Sequence, residues 1–226
     1  MVICSICGNG TFQDRRILWP ALIEEWEISP EEAAYIDRQQ GTSCTQCGAN
    51  LRGVALGYAI CEAVGAAGPL QEFVQEPKAQ SLRILDINGT SASETLSSLP
   101  HYTRADYPSV DMQAMPYLDD HFDLVIHSDT LEHVPRPLDG LRECRRVIAR
   151  GGSLCYTVPT IVGRMTRDRK GLPPSYHGNP QEGGYDFMVQ TEFGADAWTY
   201  PILAGFKSVK ISTVEYPAAT AVTAPV

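Results

Sequence analysis

Arg83-Ile84-Leu85-Asp86-Ile87, Phe122-Asp123-Leu124-Val125-Ile126-His127 and Gly151-Gly152-Ser153-Leu154-Cys155-Tyr156-Thr157-Val158-Pro159 decide the fold of this chain. The apolar core of each is a short continuous run, as strands buried on both faces of a parallel sheet require. Tyr102-Thr103-Arg104-Ala105-Asp106 predicts a further strand after the first, with a helix between the two. Before the last strand, Leu138, Leu141, Cys144, Val147 and Ile148 share one helical face, with Arg and Glu opposite. Gly151-Gly152 is expected to stop that helix. Strands alternating with such helices predict crossover units and a doubly wound, mostly parallel α/β sheet with helices on both faces. Ligands of such sheets bind beyond the carboxyl ends of the strands. Here those ends carry Asp86, Asp106, Asp111, His127 and Pro159.

With 226 residues, 43% of them hydrophobic, the chain can bury one full core with a small appendage. A formal net charge of −9 argues against nucleic acid or an anionic membrane surface as partner, since both call for a basic face. No apolar run approaches the roughly 20 residues of a membrane helix. Met1-Val2-Ile3-Cys4 shows no basic region followed by an apolar core. The expectation is a soluble, cytoplasmic protein. The Ala/Pro/Thr-rich tail after Tyr216 is expected to fray.

Seven cysteines include two knuckles of one type, Cys4-Ser5-Ile6-Cys7-Gly8 and Cys44-Thr45-Gln46-Cys47-Gly48. Each Cys-x-x-Cys turn brings two thiolates to one ion, and the following glycine permits the tight turn beneath it. Together Cys4, Cys7, Cys44 and Cys47 would supply four sulfurs to a tetrahedral structural zinc, which leaves no open position for chemistry. The interval of 36 residues between Cys7 and Cys44 exceeds the usual spacing of about 15–20, but it has structure of its own. Ser29-Pro30-Glu31-Glu32 is a helix start, with an N-cap, proline at the first position and acids in the first turn. Gly41 ends that helix. Trp19, Leu22, Ile23 and Trp26 recur at helical spacing, which suits either the module's core and seam or an aromatic wall facing a substrate. Asn50-Leu51-Arg52 leads into a helix containing Cys61, read as a packing cysteine.

Residues 82–158 resemble a class I S-adenosylmethionine-dependent methyltransferase of the small-molecule, ubiquinone-biosynthesis-like type, a Rossmann-like fold. The resemblance is carried by Phe122-Asp123-Leu124-Val125-Ile126-His127-Ser128-Asp129-Thr130-Leu131-Glu132-His133-Val134-Pro135, followed by Glu143-Cys144-Arg145-Arg146-Val147-Ile148-Ala149-Arg150-Gly151-Gly152. With the double knuckle in front, the chain also resembles a bacterial group of methyltransferases that carry an N-terminal zinc module. The division implied is a zinc-ribbon-like module over 1–52, a methyltransferase-like domain over 53–216 and a flexible tail over 217–226.

The resemblance implies S-adenosylmethionine as cofactor and a small-molecule methyl acceptor, a sugar or natural-product intermediate. The expected partners include a second copy of the chain in a homodimer, with no nucleic acid and no membrane. Asp86 would open the cofactor loop, with Asn88 and Gly89 following. The family's three glycine positions hold Asn88, Thr90 and Ala92 instead. Asp106, 20 residues after Asp86, can accept both ribose hydroxyls. Asp111 can accept from the adenine amine, with Met112 beside the base. His127 ends the strand where cofactor and acceptor meet. General-base candidates are His133, His127 and His177, since imidazole titrates near working pH. His177 lies in an irregular stretch from Arg164 to Gly184, read as a binding loop, with Tyr176, Tyr185 and Asp186 near it. Arg164, Arg167, Arg169 and Lys170 form a basic cluster that suits either an anionic group on the substrate or a solvated face. Loss of the motif glycines keeps a second reading open, a non-catalytic methyltransferase-like binding or scaffold protein.

Overall fold

Two short strands and two helices open the chain. Phe12–Gln13 (β1) pairs antiparallel with Ser43–Cys44 (β2), and Pro20–Glu25 (α1) and Pro30–Gly41 (α2) lie between them. The computed structural model describes residues 2–176 and 184–226, the last segment beginning with two residues whose side chains are outside the description. α2 starts as its sequence dictates: Ser29 Oγ accepts from the Glu32 N–H and the Glu32 carboxylate accepts from the Ser29 N–H, a reciprocal cap behind Pro30. Asn50 then caps Leu51–Ala63 (α3) by accepting from the Gly53 N–H. A Cβ on Gly57 would collide with Ser5, so this glycine lets the first knuckle lie directly on α3.

After the short helix Leu70–Phe73 (α4), the chain enters the main sheet. Its strands are Ile84–Ile87 (β3), Tyr102–Ala105 (β4), Phe122–Ser128 (β5), Ile148–Thr157 (β6), Lys210–Val214 (β10) and Ala219–Pro225 (β11), in the order β10-β11-β6-β5-β3-β4. β4, β3, β5 and β6 run parallel, while β11 is antiparallel to both β6 and β10. Side chains alternate between two cores. Ile84, Leu124, Ile126 and Cys155 pack with α3, whereas Leu85, Val125, Leu154 and Tyr156 pack with Leu141, Cys144 and Val147 of Pro137–Val147 (α6). Both faces are therefore covered, which is why these strands read as continuous apolar runs.

Beyond the carboxyl end of β6, Thr160–Ile161 (β7), Arg167–Asp168 (β8) and Thr191–Gly194 (β9) form a second sheet in the order β7-β9-β8. Thr199–Leu203 (α7) then leads to β10 at the sheet edge, as its alternating pattern predicts. Among the described residues no helix is long and apolar enough to cross a membrane.

Three expectations are corrected. Residues 217–226 are not a frayed tail, because Ala219, Ala221 and Ala224 are fully buried in β11 between two other strands. Small side chains there reflect close packing on α3, not disorder. Gly151-Gly152 does not end α6; the helix closes at Val147, and Ile148 already pairs with Phe122. Gly151, at φ +80°, instead serves a register irregularity between β5 and β6. The helix between β3 and β4 is a single turn, Ser93–Leu96 (α5).

The third core position on β5, His127, is also not what its place suggested. It is completely buried, its ring lies 4.7 Å from that of Tyr156 in a stacked arrangement, and neither ring nitrogen has a hydrogen-bond partner. It serves as an aromatic packing residue and touches neither cavity described below. Burial holds its imidazole down to about 3, against a weaker opposing pull from Glu132. Between that value and the unfolded value near 6.5, the unfolded chain binds the extra proton, so stability falls as pH falls. His127→Phe should remove this component. Urea midpoints at pH 7 and pH 5 should show the parent losing about 2 kcal/mol more than the variant; equal losses would contradict the buried neutral imidazole.

Candidate functional site

The first site is built by the two knuckles. All four sulfurs of Cys4, Cys7, Cys44 and Cys47 lie within 4.8 Å of one another. Cys4 and Cys47 are 3.5 Å apart at sulfur, as are Cys7 and Cys44. A disulfide would place them near 2.05 Å, whereas a tetrahedron with roughly 2.3 Å metal–sulfur bonds has edges of about 3.8 Å. The cluster has the dimensions and donors of a metal site. Burial opposes ionisation of Cys44, yet the Cys47 amide and Asn9 Nδ2 donate to its sulfur and bring the thiol down to about 6. The other three cysteines, Cys61, Cys144 and Cys155, are buried thiols apart from this cluster.

The second site lies beyond the carboxyl ends of β3, β4 and β5, where a cavity of about 520 Å³ opens. It is within the range of small-molecule sites. Its lining brings together Asn88, Asp106, Asp111 and Met112, four of the residues expected to hold the cofactor, with Gln113 and Ser128 between them. Asn88 sits at φ 59°, a conformation its short amide side chain tolerates. Asp111 Oδ1 accepts from the Gln113 N–H at 2.8 Å, which fixes the loop it stands on.

Besides His127, two expected cofactor residues do not reach that space. Asp86 is fully buried and braces the loop from below, accepting from Ser93 Oγ at 2.5 Å and Tyr102 Oη at 2.8 Å. Burial raises its carboxyl above the usual range, with those two donors pulling the other way. Gly89 lies under the Arg104 guanidinium, which would collide with a Cβ there. Arg104 also donates from Nε to Asp106 Oδ1 at 2.7 Å and from Nη2 to the Asn88 carbonyl at 3.0 Å.

A second cavity, about 400 Å³, abuts the first. Trp19, Leu22 and Trp26 of the α1 region form one wall, while Ile23 is not part of the lining. A strap over residues 162–176 holds the wall in place. Arg164 donates to the Glu32 carboxylate and the Trp26 carbonyl, Trp26 Nε1 donates to Ser175 Oγ at 2.8 Å, and the Arg169 guanidinium lies 5.3 Å from the Trp26 ring. Arg167 and Arg169 pair with Glu192. The basic cluster is thus consumed internally in three of its four members and is not an open anion site.

Asp129, His133 and Phe187 line both cavities and mark where they adjoin. His133 stands on the 3-10 turn Leu131–His133, and its Nδ1 is 3.1 Å from the Met188 carbonyl. A carbonyl can only accept, so Nδ1 carries the hydrogen and the neutral ring keeps its lone pair on Nε2. Glu132 Oε1 is 3.7 Å from that nitrogen. Asp129 adopts φ 50° and pairs with the buried Arg52 of α3 at 2.7 Å. His177 lies outside the described residues, as does the side chain of Tyr185, while Tyr176 and Asp186 line one cavity each. Sequence reasoning missed Asp129 and Arg52. The signal for the first was an acid directly after a β5 strand end; for the second there was none, since its partner is 77 residues away.

A methyltransferase-domain family profile matches residues 64–156. No curated protein matches the chain. Among solved structures, an S-adenosylmethionine-dependent methyltransferase of Thermotoga maritima is similar at 14% identity over 77% of this chain and 89% of that one, with a TM-score of 0.44. The CurJ carbon methyltransferase shares 13% identity over 90% and 69%, TM-score 0.42. PigF, solved with S-adenosylhomocysteine, shares 16% over 76% and 59%, TM-score 0.41. The family match falls on the parallel strands β3 to β6, whose carboxyl ends open the larger cavity, and this part of the chain is similar to a methyltransferase domain.

Proposed function

We propose that this protein transfers a methyl group from S-adenosylmethionine to a small-molecule acceptor. The observation that carries the reading is the pair of adjoining cavities with Asp129, His133 and Phe187 common to both. Displacement at a methyl group is in-line, so placing two reactants on either side of one junction is most of the catalysis.

The cofactor fits the donor set of the larger cavity. Asp111 would accept from the adenine amine, Met112 would lie against the base, Asp106 would take the ribose diol, and Asn88 and Ser128 stand at the remaining end. When bound, the cofactor supplies an electrophilic methyl group. The chain's own work is to orient the acceptor and take its proton. His133 Nε2 is the base, held in the right tautomer by the Met188 carbonyl. The Asp129–Arg52 pair shapes the rim.

A second reading rests on one observation: the Arg104 guanidinium covers Gly89 and binds Asp106. If that arrangement persists against the cofactor, the domain is a binding or scaffold protein without transfer activity. Calorimetric titration with S-adenosylhomocysteine separates the two. Micromolar binding, about −8 kcal/mol, weakened tenfold or more in Asp111→Ala, is expected. His133→Ala should keep that affinity within about threefold and lower turnover by roughly 10²-fold or more. Absence of binding up to millimolar concentration would favour the scaffold.

The cysteine cluster is proposed to hold one structural zinc. Its four-sulfur donor set selects zinc among common cellular divalent ions. Metal analysis of the purified protein should give about one zinc per chain, lost in the Cys44→Ser, Cys47→Ser double variant. A metal-free protein with an unchanged melting curve would refute the assignment.

A further inference from the structure

We infer that the smaller cavity takes a neutral, largely apolar, ring-bearing acceptor with a single hydroxyl or amine at one end, and not a sugar. The inference rests on the methyltransferase reading and names the acceptor class of that same site.

Three observations carry it. First, the wall is carbon. Trp19, Leu22, Trp26, Ile28, Ile36 and Phe187 make up much of the lining of about 400 Å³, beside the polar Gln40, Thr160 and Tyr176, and the indole N–H of Trp26 is already given to Ser175 Oγ. A sugar carries hydroxyls around its whole rim. Each one buried against such a wall without a partner costs about 1–3 kcal/mol.

Second, charged groups around the cavity balance one another. Asp129 is paired with Arg52, Glu192 with both Arg167 and Arg169, and the buried Glu132 adds the third carboxylate against these three guanidiniums. Gln39, which also lines the space, donates from Nε2 to the Ala218 carbonyl at 2.6 Å. An ionised acceptor would have to break one of these pairs, whereas a neutral one leaves them intact.

Third, two ionisable side chains stand where the methyl group must arrive. Asp129 and His133 stand where the smaller cavity adjoins the cofactor cavity. Wall and junction together orient a molecule with an apolar body and one polar tip, the tip toward His133. A flat ring system suits the body, because two indoles and Phe187 offer faces and edges for stacking.

The test uses the full-length protein and 2-naphthol as probe, with glucose as the polar comparison. Binding is read by quenching of tryptophan fluorescence and by calorimetry. The expected result is saturable 2-naphthol binding, with glucose at least tenfold weaker. Leu22→Glu, which places a charge in the wall, should weaken 2-naphthol at least tenfold and leave S-adenosylhomocysteine affinity within twofold. Leu22 is only half-buried and α1 contains no fully buried residue, so the core does not depend on it. Leu22→Gln, uncharged and of similar length, should give a smaller loss in the same direction. Stronger binding of glucose than of 2-naphthol, or 2-naphthol binding indifferent to both substitutions, would overturn the inference. Failure of S-adenosylhomocysteine to bind while 2-naphthol still binds at Leu22 would overturn the cofactor reading and leave the cavity's ligand class standing.

Discussion

The guanidinium of Arg52 is the point on which the site depends. It is almost fully buried near the start of α3, donates to Asp129 Oδ2 at 2.7 Å, and reaches Gln39 Oε1 of α2 at 3.4 Å. Gln39 in turn holds the Ala218 carbonyl, just before β11. One charge therefore links the N-terminal helices, the end of β5 and the returning strand. The pair is buried on its Arg52 side and open to solvent on its Asp129 side, so it contributes little net stability. Its value lies in geometry: Asp129 is held at φ 50° where the two cavities adjoin.

The same logic gives the cysteine cluster a purpose beyond local stability. Cys4 and Cys7 approach Cys44 and Cys47 closely enough to share one ion, and the interval between them holds Trp19, Leu22, Trp26, Ile28 and Ile36. Pinning the knuckles together fixes both ends of the wall. The strap over residues 162–176 fixes its middle, through Arg164 on Glu32 and Trp26 on Ser175. A wall that has no fully buried residue in α1 would otherwise be free to open. Nine of the 22 residues lining the smaller cavity thus come from the segment between the knuckles, one, Arg52, from α3, and twelve from the segments beyond the carboxyl ends of the sheet.

Much of this was legible in the sequence, and the remainder failed for identifiable reasons. The buried parallel strands, the amphipathic α6 and the capped α2 announce themselves through local patterns, because each pattern records which faces a segment buries. The knuckles are equally local. β11 was misread as a tail because its alanines and threonines lack the bulky apolar signature of a strand, and only the tight packing on α3 explains them. His127 was assigned to the site by its place at a strand end, where the side-chain alternation instead turned it into the core beside Tyr156. The arginines of the 164–170 stretch looked like an open cluster because their carboxylate partners, Glu32 and Glu192, are far away in the chain. Long-range pairing leaves no trace in a single sequence.

The most direct test of a two-cavity methyltransferase site is a crystal structure of the protein soaked with S-adenosylhomocysteine. The expected result is the adenine beside Met112 and Asp111, Arg104 turned away from Asp106, and the thioether sulfur facing Asp129 and His133. A soaked crystal with Arg104 still on Asp106 and nothing in that cavity would contradict it.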